Sequence, residues 1–161
     1  METQSKVLVC GRYRLDLRYP LIMGIVNVTD DSFSGDGLGD DPRRAVAHGR
    51  RLVEEGAAML DIGGESSRPG AEPISIEREL ARVLPVMEGL RDCGVPLSVD
   101  TVKPEVMSAV IAAGADMLAV VTDLFDAMDI RRRAGEFMQL FNRPEPTPEI
   151  RCADFTPQGA K

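Results

Sequence analysis

One arrangement restricts this chain more than any other: short apolar runs that break into polar, glycine-bearing sequence, separated by segments with helical spacing. The runs are Pro20-Leu-Ile-Met-Gly-Ile-Val-Asn27, Ala57-Ala-Met-Leu-Asp-Ile62, Val95-Pro-Leu-Ser-Val-Asp100 and Ala115-Asp-Met-Leu-Ala-Val-Val121. Apolar runs without alternation suit strands buried on both faces of a parallel sheet. Asp41 predicts a helix cap with Pro42 at the first position, Ala45, Val46, Leu52 and Val53 on one face and Gly56 at the end. Ser75 predicts a second cap, with Glu77 and Glu79 in the positive first turn. Ile76, Leu80, Val83, Leu84, Met87 and Leu90 keep the helical period across Pro85, a residue expected to kink it. Pro104 opens a third helix with Val106, Met107, Val110 and Ile111 inward, and Gly114 closes it.

The segments around Gly56 and Gly114 echo each other, Glu55-Gly-Ala-Ala-Met-Leu-Asp-Ile62 against Ala113-Gly-Ala-Asp-Met-Leu-Ala-Val120. Their glycines are 114 − 56 = 58 residues apart, close to two βα units of roughly 30 residues each. Such repetition predicts an α/β fold of the (β/α)8 TIM-barrel type, here as about four βα units, a half barrel. Lys6–Cys10 and Tyr13–Leu17, flanking Gly11-Arg12, predict a β-hairpin ahead of it. The expected division is 1–121 for the half barrel and 122–161 for an atypical extension. Of fifteen glycines, only Gly135 and Gly159 lie beyond Leu118, whereas four of five phenylalanines do. Thr122 to Phe141 reads as one helix carrying Arg131-Arg-Arg133, a solvated face or a phosphate or partner contact. Asn142 to Lys161, with Pro144, Pro146, Pro148 and Pro157, reads as a poorly ordered tail.

Composition narrows the functional classes. A net charge of −7 argues against a general nucleic-acid surface. No apolar run approaches the roughly 20 residues of a membrane span. Met1-Glu-Thr-Gln-Ser-Lys6 lacks the basic and apolar regions of a secretory signal, so a cytoplasmic location is expected. Cys10, Cys93 and Cys152 are scattered and lack metal-ligand spacing, which suits reduced structural thiols. His48, the only histidine, falls on a predicted helix away from the strand ends, so a Ser-His-Asp mechanism is not expected.

Chemistry concentrates where the runs end. Asn27 supplies a neutral oxygen, suited to a hard cation such as Mg²⁺ or equally to a turn. The segment after it combines Asp30, Asp31 and Asp36 with hydroxyls and Gly35, Gly37 and Gly39, which fits a mobile substrate loop or a plain solvated one. Gly63-Gly-Glu-Ser-Ser-Arg-Pro-Gly70 offers backbone N–H groups, two hydroxyls and the Arg68 guanidinium to an anion. Asp100 ends an apolar strand, where a carboxylate needs matching donors. An aminopyrimidinone edge supplies two; a helix N-cap is the competing role.

Gly24-Ile-Val-Asn-Val-Thr-Asp-Asp-Ser-Phe-Ser34, Gly63-Gly-Glu-Ser-Ser-Arg-Pro-Gly70 and Ser98-Val-Asp-Thr101 resemble, in order and spacing, the signature segments of the dihydropteroate synthases. The resemblance runs from about residue 5 to Leu118. It implies condensation of 6-hydroxymethyl-7,8-dihydropterin diphosphate with 4-aminobenzoate. It implies Asn27 as a Mg²⁺ ligand, Ser67 (usually threonine) and Asp100 as pterin contacts, and Phe33 and Arg68 in loops shaping the aminobenzoate pocket. Asp100 and Arg68 carry the expected catalytic roles. The corrinoid-linked methyltransferases share the Asp-bearing third strand, but Asn27-Val-Thr-Asp-Asp-Ser-Phe-Ser34 argues against them.

The resemblance departs at Ala119 and Val120, where the family has an Asn-Asp pair whose asparagine binds pterin, and the later lysine, arginine and histidine positions have no counterpart. A truncated synthase with a foreign or frame-shifted C-terminus, weakly active or inactive alone, is therefore expected. The alternative is a non-catalytic half-barrel fragment or a partner module of a full-length synthase. Open strand edges predict a homodimer or higher self-association.

Overall fold

A computed structural model describes residues 6–29, 41–66, 71–141 and 150–151 of the chain. Strands β3 (Met23–Asn27), β4 (Met59–Gly63), β5 (Leu97–Asp100) and β6 (Met117–Ala119) lie side by side in chain order, all parallel. Helices α1 (Pro42–Glu54), α2 (Ile76–Leu90) and α3 (Pro104–Ala113) connect them, and the short α4 (Thr122–Phe125) follows β6. These are four consecutive βα units, the predicted half barrel.

The helix ends follow the local chemistry. The Asp41 side chain accepts from the Arg43 amide and the Ser75 side chain from the Arg78 amide. Gly114 closes α3 with φ at +110°, a backbone conformation that costs a residue with a Cβ. α2 continues through Pro85 to Leu90.

Side-chain alternation sorts each strand into two faces. Val26, Leu60, Ile62, Leu97 and Val99 turn toward the helices and join Val83, Val86, Leu90, Val106 and Val110 in one buried cluster. Each such side chain contributes about 1.5–3 kcal/mol relative to exposure. The other face carries Met23, Ile25 and Asn27, all exposed, then Asp61, Ser98 and Asp100. At the base of this face, Met59 and Met117 pack against Cys10, Tyr13 and Leu15. Those three come from β1 (Val7–Cys10) and β2 (Tyr13–Asp16), an antiparallel hairpin that plugs the N-terminal end of the strands.

Beyond β6 the structure differs from the sequence expectation. The single helix expected from Thr122 to Phe141 is two, α4 and α5 (Ile130–Leu140). Asp129 explains the break: its carboxylate accepts from the Arg132 amide at 2.9 Å, starting a new helix instead of continuing the old one. Arg133 of the arginine run is tied to Asp123 and Glu136, so it joins α5 to α4. The expected tail lies mostly outside the described residues, yet Ile150–Arg151 form a strand, β7, paired in parallel with β2. No helix among the described residues is long and apolar enough to cross a membrane.

The hairpin turn is seated by Gly11. Its φ is +54°, and a Cβ there would collide with the Asp116 carboxylate. Asp116 is fixed in turn, because its Oδ2 accepts from the Leu97 amide at 3.1 Å. Gly11→Ala is expected to lower stability by about 1–3 kcal/mol, from backbone strain plus overpacking. A lowered urea midpoint with unchanged slope is the expected readout.

Candidate active site at the C-terminal ends of the strands

The parallel register assembles one row of residues across the mouth of the sheet. Asn27 pairs with Gly63, Gly63 with Asp100, and Asp100 with Ala119. Asn27 is not in a turn: the next amide, Val28, still bonds to the Gly63 carbonyl at 2.8 Å, and Val28 is buried. Its side chain is therefore held on the exposed inner face. Gly63 beside it gives clearance, since a Cβ there would approach Asn27 Oδ1 to 3.3 Å.

Asp100 is not a helix cap either. The N-cap of α3 is Lys103, whose side chain makes no capping bond. Among the described residues Asp100 has no hydrogen-bond partner, so its carboxylate faces the mouth with its acceptor sites open. Partial desolvation pushes the carboxyl above the ordinary aspartate value, and the charges of Asp61 and Glu79 add to the effect. An acceptor of this kind suits a ligand edge that brings its own N–H donors.

A charged cluster that sequence reasoning missed supports the second loop. Lys103 Nζ donates to Glu65 Oε2 at 2.5 Å and to Glu79 Oε2 at 2.6 Å. Glu79 is fully buried, so its role exceeds the helix-dipole contact expected from its place in the first turn of α2. Glu65 Oε1 also accepts the Ile74 amide at 3.0 Å, which joins the two ends of the β4–α2 loop. Arg82 adds a bond to the Gly64 carbonyl at 3.1 Å. Burial works against the Lys103 ammonium, but the hydrogen bonds it donates to Glu65 and Glu79 outweigh it and raise its pKa. The available signal was a Glu and a Lys of opposite charge placed just after neighbouring strand ends. Ser67, Arg68 and Phe33, the other expected site residues, lie outside the described residues.

The pattern is thus a parallel βα array with a carboxylate and an amide across a glycine, beside a loop anchored by buried charge. The chain matches the pterin-binding enzymes over residues 23–130, beyond the Leu118 limit read from sequence. It belongs to the pterin-binding enzyme family. The dihydropteroate synthase of Bacillus subtilis is 41% identical over 133 residues, covering 78% of this chain and 46% of that protein. The Escherichia coli K12 dihydropteroate synthase is 45% identical over 111 residues, 68% of this chain and 39% of that protein. Among solved structures, the Yersinia pestis synthase in a sulfonamide drug complex superposes with a TM-score of 0.70 at 40% identity, covering 81% of this chain and 48% of that one. The Xanthomonas albilineans synthase with 4-aminobenzoic acid gives 0.64 at 57% identity, over 71% of this chain and 43% of that one. The chain spans less than half the length of these relatives.

Two outcomes follow from the geometry. Lys103→Met leaves Glu79 buried without its cation, and is expected to cost about 3–5 kcal/mol in denaturant unfolding. Asp100→Asn should stabilise the protein. A carboxyl raised above 3.8 in the folded state makes the ionised form less favourable there than in the unfolded chain. The gain in thermal midpoint should be full at pH 7, fade as pH falls through the raised value, and vanish below 3.8. An unchanged or lower midpoint at pH 7 contradicts this.

Proposed function

We propose that this chain has the pterin-binding half of a dihydropteroate synthase site, using a pterin diphosphate and 4-aminobenzoate. The observation carrying this reading is the open Asp100 carboxylate, set across Gly63 from Asn27 at the strand ends. Support also comes from relatives whose structures are described with 4-aminobenzoic acid and with 7,8-dihydropteroate.

In the reaction, the aminobenzoate nitrogen attacks the pterin methylene carbon. The carbon–oxygen bond to diphosphate breaks, a carbon–nitrogen bond forms, and the amine loses a proton. Asp100 holds the ring N–H and exocyclic amine and stabilises the positive charge that develops on the pterin. Ser67 contacts the pterin ligand, and Arg68 and Phe33 shape the aminobenzoate pocket. Asn27 presents a single exposed neutral oxygen, and the described residues hold no group of three or more His, Cys, Asp or Glu able to bind a metal. That donor set fits Mg²⁺ held mostly by phosphate and water, with Asn27 as one protein ligand. When bound, Mg²⁺ neutralises charge on the leaving diphosphate.

Residues 1–121 form the barrel unit in this reading and 122–161 an appended segment, the protein acts in the cytoplasm, and its open strand edges favour self-association. A second reading, non-catalytic pterin binding, is favoured by Ala119: the position beside Asp100 carries a methyl group that cannot hydrogen-bond a ligand.

Calorimetric titration of the full chain with the pterin diphosphate and Mg²⁺ is expected to give saturable binding that Asp100→Ala abolishes. Diphosphate release on adding 4-aminobenzoate would support catalysis; binding without release would support the second reading. No binding by the folded chain would overturn both.

A further inference from the structure

Asp61 lies on the inner face of β4, one step below the row formed by Asn27, Gly63 and Asp100. Its chain neighbours Leu60 and Ile62 face the helices and are fully buried. Across the sheet it pairs with Ile25 on one side and Ser98 on the other. The residue is only 8% exposed. Its Oδ1 is sealed from solvent and finds no hydrogen-bond partner among the described residues.

Buried acids are tolerated when something compensates them. Glu79, whose Oε1 is likewise unpartnered, is compensated at Oε2 by a bond at 2.6 Å to the Lys103 ammonium. Asp61 has no such cation among the described residues. Both of its register partners fail it: Ile25 has no donor, and the buried Ser98 does not supply a bond to Oδ1. A carboxylate left in this state weakens the ligand-free fold.

The space above it explains what could compensate. Gly63 is the next inward position on β4, and among the described residues a Cβ there would meet only Asn27 Oδ1 within 4 Å. Among the described residues, the missing side chain of Gly63 leaves room on β4 between Asn27 and Asp100, one step above Asp61. Asp100 stands one strand over and one step nearer the mouth. The two carboxylates are close enough that the charge of Asp61 bears on Asp100. Anionic or acceptor-rich groups are repelled from such a pair, whereas a flat ligand carrying several N–H donors is drawn to it. An exocyclic amine has two N–H bonds. A ring N–H and one of these satisfy Asp100; the other is left for a second acceptor.

We propose that Asp61 is a second ligand-binding carboxylate, lying one step below Gly63 and accepting, at Oδ2, the oxygen that is not sealed, an N–H from the amino-substituted heterocycle that Asp100 holds. The assignment rests on the pterin reading above and adds to it a residue that rejects ligands lacking the second N–H.

Asp61→Asn, which removes the charge at nearly constant volume, separates this role from a structural one. The ligand-free variant should unfold at a higher urea midpoint, because the unpartnered charge is gone. Its affinity for 6-hydroxymethyl-7,8-dihydropterin, measured by calorimetry without diphosphate or metal, should fall roughly tenfold or more. Stability and binding thus move in opposite directions. Unchanged affinity overturns the assignment while leaving the pterin reading intact. So does a variant that unfolds at a lower midpoint or fails to fold, since Asp61 is then a structural residue. Absence of binding by the unsubstituted chain overturns the pterin reading and the Asp61 assignment together.

Discussion

In-register parallel pairing of four strands governs the molecule. Because the side-chain period in a strand is two, a register slip of one residue on any strand would exchange its two faces. In β4 that slip would send Leu60 and Ile62 out of the core and Asp61 into it. Core and site are therefore specified by the same ladder. The hydrophobic requirement on the helix side fixes the register, and the polar residues opposite are carried into place with it. Asn27, Gly63 and Asp100 share a row without contacting one another through any dedicated bond among the described residues.

What the ladder does not fix is the loop that follows β4, and here buried charge takes over. Glu65, Lys103 and Glu79 come from three separate segments and meet in a pocket where at least one of them has no access to water. Breaking such a cluster is far more costly than its net contribution to stability, since each partner's burial depends on the others. That asymmetry makes it a specifying device: loop conformations in which Glu65 leaves the ammonium are penalised heavily. The Ile74 amide, accepted by the same carboxylate, ties position 74 to position 65.

The sequence made most of the fold legible because its signals were local. Apolar runs, Asp41, Ser75, Pro104, Gly56 and Gly114 each act within a few residues, and the elements they predict are present. Asn27 and Asp100 were legible as candidates because they interrupt apolar strands at their ends. Long-range pairings were not legible. Nothing near Glu79 in sequence announces Lys103, and nothing near Asp61 distinguishes an inward carboxylate from an outward one until strand pairing is known. The helix expected from Thr122 to Phe141 failed for a related reason: composition favoured continuity, but one capping aspartate was enough to divide it.

The pairing of β7 with β2 has a kinetic consequence. Tyr13 meets Ile150 across nearly the entire chain, whereas the four parallel strands are joined by successive local crossovers. Contacts of such high sequence separation incur loop-closure entropy before they gain anything, so they form late. The hairpin can seat against Met59 and Met117 as soon as the sheet exists, but its third strand must wait until Ile150 and Arg151 have been made. During synthesis on a ribosome, the barrel units would be packed and the β2 edge left open until residues 150–151 emerge, a delay in which another chain's strand can take the place of β7.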